Sequence, residues 1–167
     1  MRYFIGLGAN LGDRLTTLRE AARRIEAMGT LVARSRVFAA SPVGGPPQPP
    51  FLNAAVLLDC VLAPIDLLAR TQEIENALGR DREHEVHWGP RTLDIDILMA
   101  GAHGELIVDV PHLRLPHPRL KERGFAIVPL LDLDATLLHP ELMRPLKALV
   151  APAQAAGQAW APTGDAL

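Results

Sequence analysis

Ten consecutive residues, Ser41-Pro-Val-Gly-Gly-Pro-Pro-Gln-Pro-Pro50, carry five prolines and two adjacent glycines. The missing backbone donors exclude a helix or an inner strand over this stretch. It is a loop, and it separates two regular patterns. Before it, residues 3–8 read as a buried strand with glycine punctuation. Leu15, Leu18, Ala22, Ile25 and Met28 then recur at helical spacing up to a stop at Gly29. Residues 31–39 form a second strand with Leu31, Ala33, Ser35 and Val37 on one side. After the loop, residues 51–61 form a third strand. A second helix starts near Pro64, turns Leu67, Thr71, Ile74 and Leu78 inward, and ends at Gly79. Residues 80–92 are polar and aperiodic, a second long loop, and residues 93–99 form a fourth strand. The order β-α-β-β-α-β predicts an α+β, ferredoxin-like sandwich in which an antiparallel sheet buries one face under two helices.

Beyond residue 100 the pattern predicts a short strand at 105–108, proline-punctuated turns, and helical additions near 119–132 and 142–150. Residues 1–150 are expected to form one domain, large enough to bury a core without staples. Residues 151–167, rich in alanine with Pro152, Gly157, Pro162 and Gly164, are expected to be a loosely held tail.

Composition narrows the function classes. A net charge of −2 and a pI near 6.3 argue against a nucleic-acid module, which normally shows a basic stripe. A single cysteine, Cys60, excludes a disulfide framework and reads as a small buried hydrophobe. Charges interrupt every apolar stretch short of a membrane span, and the N-terminus has no signal-peptide layout. A cytoplasmic protein is expected.

The sharpest chemical pattern is Leu93-Asp-Ile-Asp-Ile97. Residues two apart on a strand share a face, so Asp94 and Asp96 point the same way with Cα atoms about 6.6 Å apart. Two neighbouring carboxylates repel unless a cation lies between them, and such hard oxygen ligands suit Mg²⁺. An amphipathic strand with a solvated acidic face carries the same pattern. The chain has 15 arginines against 2 lysines, with Arg80, Arg82 and Arg91 in the loop feeding this strand and Arg123 beyond it. Guanidinium forks match phosphate oxygens, and carboxylates for Mg²⁺ beside arginines are the ingredients of phosphoryl transfer. Pairing of these arginines with Glu83, Glu85 and Glu122 on the surface is the simpler alternative. Gly6-Leu-Gly-Ala-Asn-Leu-Gly12 lacks the Lys-Ser/Thr ending of a phosphate loop and reads as a tight turn. His84 and His87 with His112 or His117 lack a cysteine partner for zinc, and solvated histidines account for them.

Together these segments resemble the 6-hydroxymethyl-7,8-dihydropterin pyrophosphokinase family of folate biosynthesis. The resemblance rests on Gly8-Ala-Asn-Leu, on Ser41-Pro42 with Phe51-Leu-Asn53-Ala-Ala-Val, and on Gln72-x-x-Glu75 with Gly79-Arg80. Above all it rests on Trp88-Gly-Pro-Arg-Thr-Leu-Asp-Ile-Asp-Ile97 and Pro116-His-Pro-Arg-Leu-Lys-Glu-Arg-Gly-Phe125. It covers about residues 3–150 and implies a ferredoxin-like fold. It also implies an enzyme that moves the β,γ-pyrophosphoryl unit of ATP to the pterin hydroxymethyl oxygen, leaving AMP.

By that resemblance Asp94 and Asp96 hold two Mg²⁺ ions. Arg82, Arg91, His117 and Arg123 neutralise or orient the triphosphate, with Lys121 adding charge. Gln72 and Glu75 help place the nucleotide, and Ile97 lines the adenine pocket. Phe51 and Phe125 sandwich the pterin. Asn53 and the backbone from Ser41 through Pro42 and Val43 to Gly44 bond its edge, with Trp88 in the same site. Phe51 stands where many members have tyrosine, and His87 where some have arginine. The two long loops are expected to close over the substrates. A monomer with no nucleic-acid or membrane partner is expected. A binding protein without turnover, or a ferredoxin-like interaction module, are the other classes such a scaffold could serve.

Overall fold

The computed structural model describes residues 1–81 and 89–167. Strand β1 (Arg2–Ala9) leads into helix α1 (Arg14–Glu26), whose N-terminus is capped by Asp13 accepting the Thr16 N–H. Strands β2 (Thr30–Arg34), β3 (Arg36–Ala40) and β4 (Phe51–Asp59) follow, the last two joined by the proline-rich loop. Helix α2 (Pro64–Ala77) opens on its proline, where a missing N–H costs nothing. Strand β5 (Asp94–Ala100) completes the β-α-β-β-α-β order, with β2 and β3 together in the place of its second strand.

The sheet runs β3-β4-β1-β5 with every neighbour antiparallel, the expected ferredoxin-like order. One face carries Tyr3, Ile5, Leu7, Val56 and Ile95 against Leu18 and Ile25 of α1 and Leu67 and Ile74 of α2. Cys60 is a free, buried thiol just after β4. Among the described residues, no helix is long and apolar enough to cross a membrane.

Four local expectations are corrected. The 31–39 strand is two strands, because the Ser35 hydroxyl takes the Ala55 N–H at 2.8 Å and donates to the Arg36 carbonyl. A register shift between Leu31 and Ala33 sends these two residues to opposite faces of the sheet. The strand at 105–108 is instead a hairpin of β6 (Val108–Val110) and β7 (Leu113–Leu115). The helix near 119–132 is a short 3-10 turn (Leu120–Glu122) followed by α3 (Gly124–Leu133). The helix near 142–150 is the small ladder β8 (Leu138–His139) with β9 (Arg144–Pro145), a 3-10 turn (Leu146–Leu149) and α4 (Val150–Ala155).

Two differences bear on function. The sheet is covered on both faces: Phe4, Ala55, Leu57 and Leu98 pack against Ile127 and Leu130 of α3 and against Leu120, Leu146 and Leu149. The tail is not loose either. Its residues form nearly all of α4 and strand β10 (Trp160–Ala166), which pairs antiparallel with β3 and extends the sheet. Pro162 and Gly164 had argued against structure there, but β10 is an edge strand, where a proline leaves no ladder bond broken.

Candidate active site

The second sheet face is only partly covered. α3 seats on the end of the sheet holding Phe4, Leu57 and Leu98. The other end is bare and built from paired positions. Gly8 of β1 lies between Asn53 of β4 and Asp94 of β5, and Gly6 lies between Ala55 and Asp96. A Cβ on Gly8 would stand 3.2 Å from Asn53 Oδ1 and 3.9 Å from both the Asp94 Cβ and the Phe51 ring. Glycine at this position keeps the floor open between the amide and the carboxylate.

Over that floor is a cavity of about 210 Å³, lined by Phe51, Phe125, Asn53, Ser41, Pro42, Val43 and the two aspartates. The two rings come from opposite sides, one at the start of β4 and one in the first turn of α3. Asn53 is 7% exposed, and its Nδ2 finds no hydrogen-bond partner among the described residues. A buried, unsatisfied donor costs stability and marks a place for an acceptor from outside the chain.

A second cavity, about 530 Å³ and more polar, adjoins the first and shares Arg91, Asp94, Asp96, Arg119 and Arg123 with it. Gln72, Ile97, His112, Arg114 and His117 are among the rest of its wall. The two spaces meet at the aspartate pair.

Asp94 accepts from Arg80 at 2.6 Å and from Arg91 at 2.9 Å. Burial raises its carboxyl, but the two guanidinium charges outweigh that and hold it below the usual carboxylate range. Asp96 accepts from Arg123 at 3.0 Å, and His117 Nε2 stands 3.9 Å from its other oxygen. Burial pushes the Asp96 carboxyl up to about 6, and the charge on Asp94 adds to that against the pull of Arg123. Two carboxylates two residues apart therefore hold opposite pKa directions. His117 Nδ1 takes the Arg119 N–H, which leaves the proton of the neutral ring on Nε2. Burial, with Arg123 and Arg119 adding to it, presses this imidazole down to about 4.

Arg123 links the two cavities. Its guanidinium bonds Asp96 and lies 5.7 Å from the centre of the Phe125 ring. Arg91 is placed through its backbone: its N–H reaches Asn10 Oδ1 at 2.7 Å and its carbonyl accepts the Asn10 N–H. The Asn10 amide in turn donates to Gln48 and to the Pro49 carbonyl, so one residue joins the proline-rich loop to the base of the second loop.

Thus Ser41, Pro42, Val43, Phe51, Asn53, Gln72, Arg91, Asp94, Asp96, Ile97, His117, Arg123 and Phe125 converge on two adjoining spaces. Three expected residues fall elsewhere. Glu75 is 1% exposed, bonds Arg80 and the Ile95 N–H, and lines neither cavity. Lys121 and Gly44 are exposed and line neither cavity. Arg82 and Trp88, like His84 and His87, lie outside the described residues. Sequence reasoning passed over Asn10, the floor glycines as such, and Arg114 and Arg119. It also passed over Gln158 of the tail, which lines the first cavity. The only signal for Asn10 was its place in the Gly8-Ala-Asn-Leu motif.

The family model of 7,8-dihydro-6-hydroxymethylpterin-pyrophosphokinase (HPPK) matches residues 4–135. The chain belongs to the HPPK family. It is 43% identical over 132 residues to the 2-amino-4-hydroxy-6-hydroxymethyldihydropteridine pyrophosphokinase of Bacillus subtilis, across 78% of this chain and 76% of that protein. With the Pseudomonas aeruginosa protein of the same name it shares 39% over 142 residues, or 84% and 85% of the two chains. Among solved structures, a crystal structure of HPPK-DHPS in complex with substrates superposes with a TM-score of 0.71 at 11% identity. The match takes in 93% of this chain and 43% of that one. A Plasmodium falciparum HPPK-DHPS gives 0.70 at 14%, over 90% of this chain and 44% of the other. At such identities the likeness concerns the fold. The HPPK match covers both aspartates, both cavity rings and Asn53, and it stops before the tail.

Proposed function

We propose that this chain transfers pyrophosphate from ATP to the hydroxymethyl group of 6-hydroxymethyl-7,8-dihydropterin, giving AMP and the pterin diphosphate in folate biosynthesis. The observation that carries the reading is the meeting of the two cavities at Asp94 and Asp96. One suits a flat heterocycle between Phe51 and Phe125, with the open Asn53 donor at its edge. The other offers the arginine lining a polyphosphate needs.

In the reaction the hydroxymethyl oxygen bonds to the β-phosphorus of ATP and loses its proton. The bond from that phosphorus to the oxygen bridging toward the α-phosphate breaks, and AMP leaves. The chain's part is placement and charge neutralisation. Phe51 and Phe125 hold the pterin plane, Asn53 fixes its rotation, and Arg91 and Arg123 with Arg82 take up phosphate charge. His117 presents its Nε2–H to the same space.

Among the described residues, no group of three or more His, Cys, Asp or Glu side chains could hold a metal ion. Asp94 and Asp96 nevertheless fit Mg²⁺, which commonly takes one or two carboxylates and completes its shell with substrate phosphates and water. Burial first, and then the charge on Asp94, raise the Asp96 carboxyl, and a bound cation would favour its ionised form. Two Mg²⁺ ions held there with ATP would supply charge neutralisation at the transferring phosphates. The reading is of a monomeric, cytoplasmic enzyme.

Product analysis with ATP, Mg²⁺ and the dihydropterin tests the proposal. AMP formed in step with pterin diphosphate supports it; ADP, or no pterin-dependent turnover, overturns it. The carboxylate assignment has its own test. Asp94→Ala and Asp96→Ala should remain folded, lose turnover, and lose the Mg²⁺ dependence of binding a nonhydrolysable ATP analogue in titration calorimetry.

A further inference from the structure

Helix α3 carries Phe125 in its first turn, directly after Arg123, yet nothing local caps it. Arg123 occupies the cap position and makes no side-chain cap bond. Helix starts leave backbone N–H groups without partners, and a side-chain oxygen is the usual remedy. Here it comes from 34 residues away. Gln158 Oε1 takes the Gly124 N–H at 2.9 Å, while Gln158 Nε2 donates to the Glu122 carbonyl at 2.6 Å. One amide thus bonds both sides of Arg123.

The neighbouring tail residues grip the same place and the opposite wall. The Trp160 ring lies so close to Gly124 that a Cβ there would stand 2.4 Å from it and 2.9 Å from the Ala153 Cβ. Glycine at 124 is therefore required by close approach. On the other side, the Ala159 carbonyl takes the Ser41 N–H at 3.0 Å, and Trp160 pairs with Ala40 in the β10–β3 ladder. Ala40, Ser41, Arg123, Phe125 and Gln158 all line the first cavity. Three consecutive tail residues, 158–160, span from the proline-rich loop to the start of α3.

We infer that Gln158 is a positioning residue for the heterocycle pocket: it fixes the start of α3, and through it the Phe125 ring, against the loop wall at Ser41. The inference rests on the pterin reading of that cavity. It concerns residues beyond the stretch that the family match covers, 4–135. Gln158 touches no reacting atom. It acts by holding the wall so that substrate binding does not have to order it.

The test is pterin binding by calorimetry, with a nonhydrolysable ATP analogue and Mg²⁺ present, in Gln158→Ala, Gln158→Met and Phe125→Ala. Gln158→Met keeps length and packing but removes both hydrogen bonds. Both Gln158 variants should weaken pterin binding about five-fold, because only part of the two lost bonds is expressed through the wall they hold. In steady state the KM for pterin should rise with the KM for ATP unchanged. In the Phe125→Ala background, Gln158→Ala should add nothing, because the ring it positions is gone. Wild-type pterin affinity in Gln158→Met, or full additivity with Phe125→Ala, overturns the inference. Unchanged pterin binding in Phe125→Ala alone would instead overturn the pterin reading beneath it.

Discussion

Glu75 of α2 accepts the backbone N–H of Ile95 on β5 at 2.7 Å, at the residue lying between the two site aspartates. The same oxygen receives Arg80, whose guanidinium also bonds Asp94. Helix, strand and loop base are thus joined at one buried carboxylate. Its motif suggests a nucleotide contact, and its position makes it a fixture that ties strand β5 to helix α2 and Arg80.

Removing that fixture should cost stability before it costs specificity. Breaking a buried ion pair by deleting one partner costs about 3–5 kcal/mol, because the remaining charge keeps its desolvation penalty. Glu75→Ala should therefore unfold at clearly lower denaturant than the parent. Glu75→Gln, which keeps an acceptor for Ile95, should lie between the two. An unchanged denaturation midpoint in Glu75→Ala would refute the fixture role.

The element order and the aspartate strand were legible because periodicity is a local property. Ile95 and Ile97 fill one face of the sheet, and Asp94 and Asp96 take the other. Ser35 was not legible: it sits in phase with Leu31 and Val37, and only its hydroxyl bond to the Ala55 N–H breaks the strand. The second helical layer was hidden for a related reason, since Phe4, Ala55 and Leu98 face away from the first core and their cover comes from distant chain. Pro162 and Gly164 argued for a loose tail, yet an edge strand tolerates both. The role of Gln158 exists only through Gly124 and Glu122, and no sequence window contains all three.

Asn53 should show function held at the expense of stability. Its Nδ2 is buried without a partner among the described residues, a defect costing about 1–3 kcal/mol in a folded chain. Asn53→Leu removes the orphan and keeps apolar volume. The variant should be at least as stable as the parent to thermal melting and should lose pterin binding more than ten-fold, about 1.4 kcal/mol. A destabilised variant that still binds pterin would show that the amide serves the fold instead.

Acid should expose opposing contributions from Asp96 and His117. Asp96 titrates near 6 when folded against about 3.8 unfolded, so the folded state binds more protons between those values. Its contribution to stability falls as pH rises through that window. His117 titrates near 4 when folded against 6.5 unfolded, so its contribution falls as pH drops from 6.5 to 4. The two slopes oppose each other in the wild type. Asp96→Asn removes one of them, and its denaturation midpoint should drop more steeply than the parent's between pH 6.5 and 4. Parallel profiles would refute the assignment of these shifts.

Gly8→Ala tests whether the open floor serves the ligand. Strand glycine is intrinsically less favourable than alanine by about 0.5–1 kcal/mol, so the fold itself gains from the change. The added methyl meets Asn53 Oδ1 at 3.2 Å, closer than comfortable contact, and otherwise only the Asp94 Cβ and the Phe51 ring at 3.9 Å. The Asn53 amide is the group that must give way. Stability should therefore stay level or rise, while a displaced amide and a raised floor weaken the pterin about ten-fold. ATP-analogue binding should be unaffected, since Gly8 does not line the polar cavity. Calorimetry with each ligand separates these outcomes. A variant binding pterin as the parent does would mean the floor has room to spare and that Gly8 is required by something other than the site.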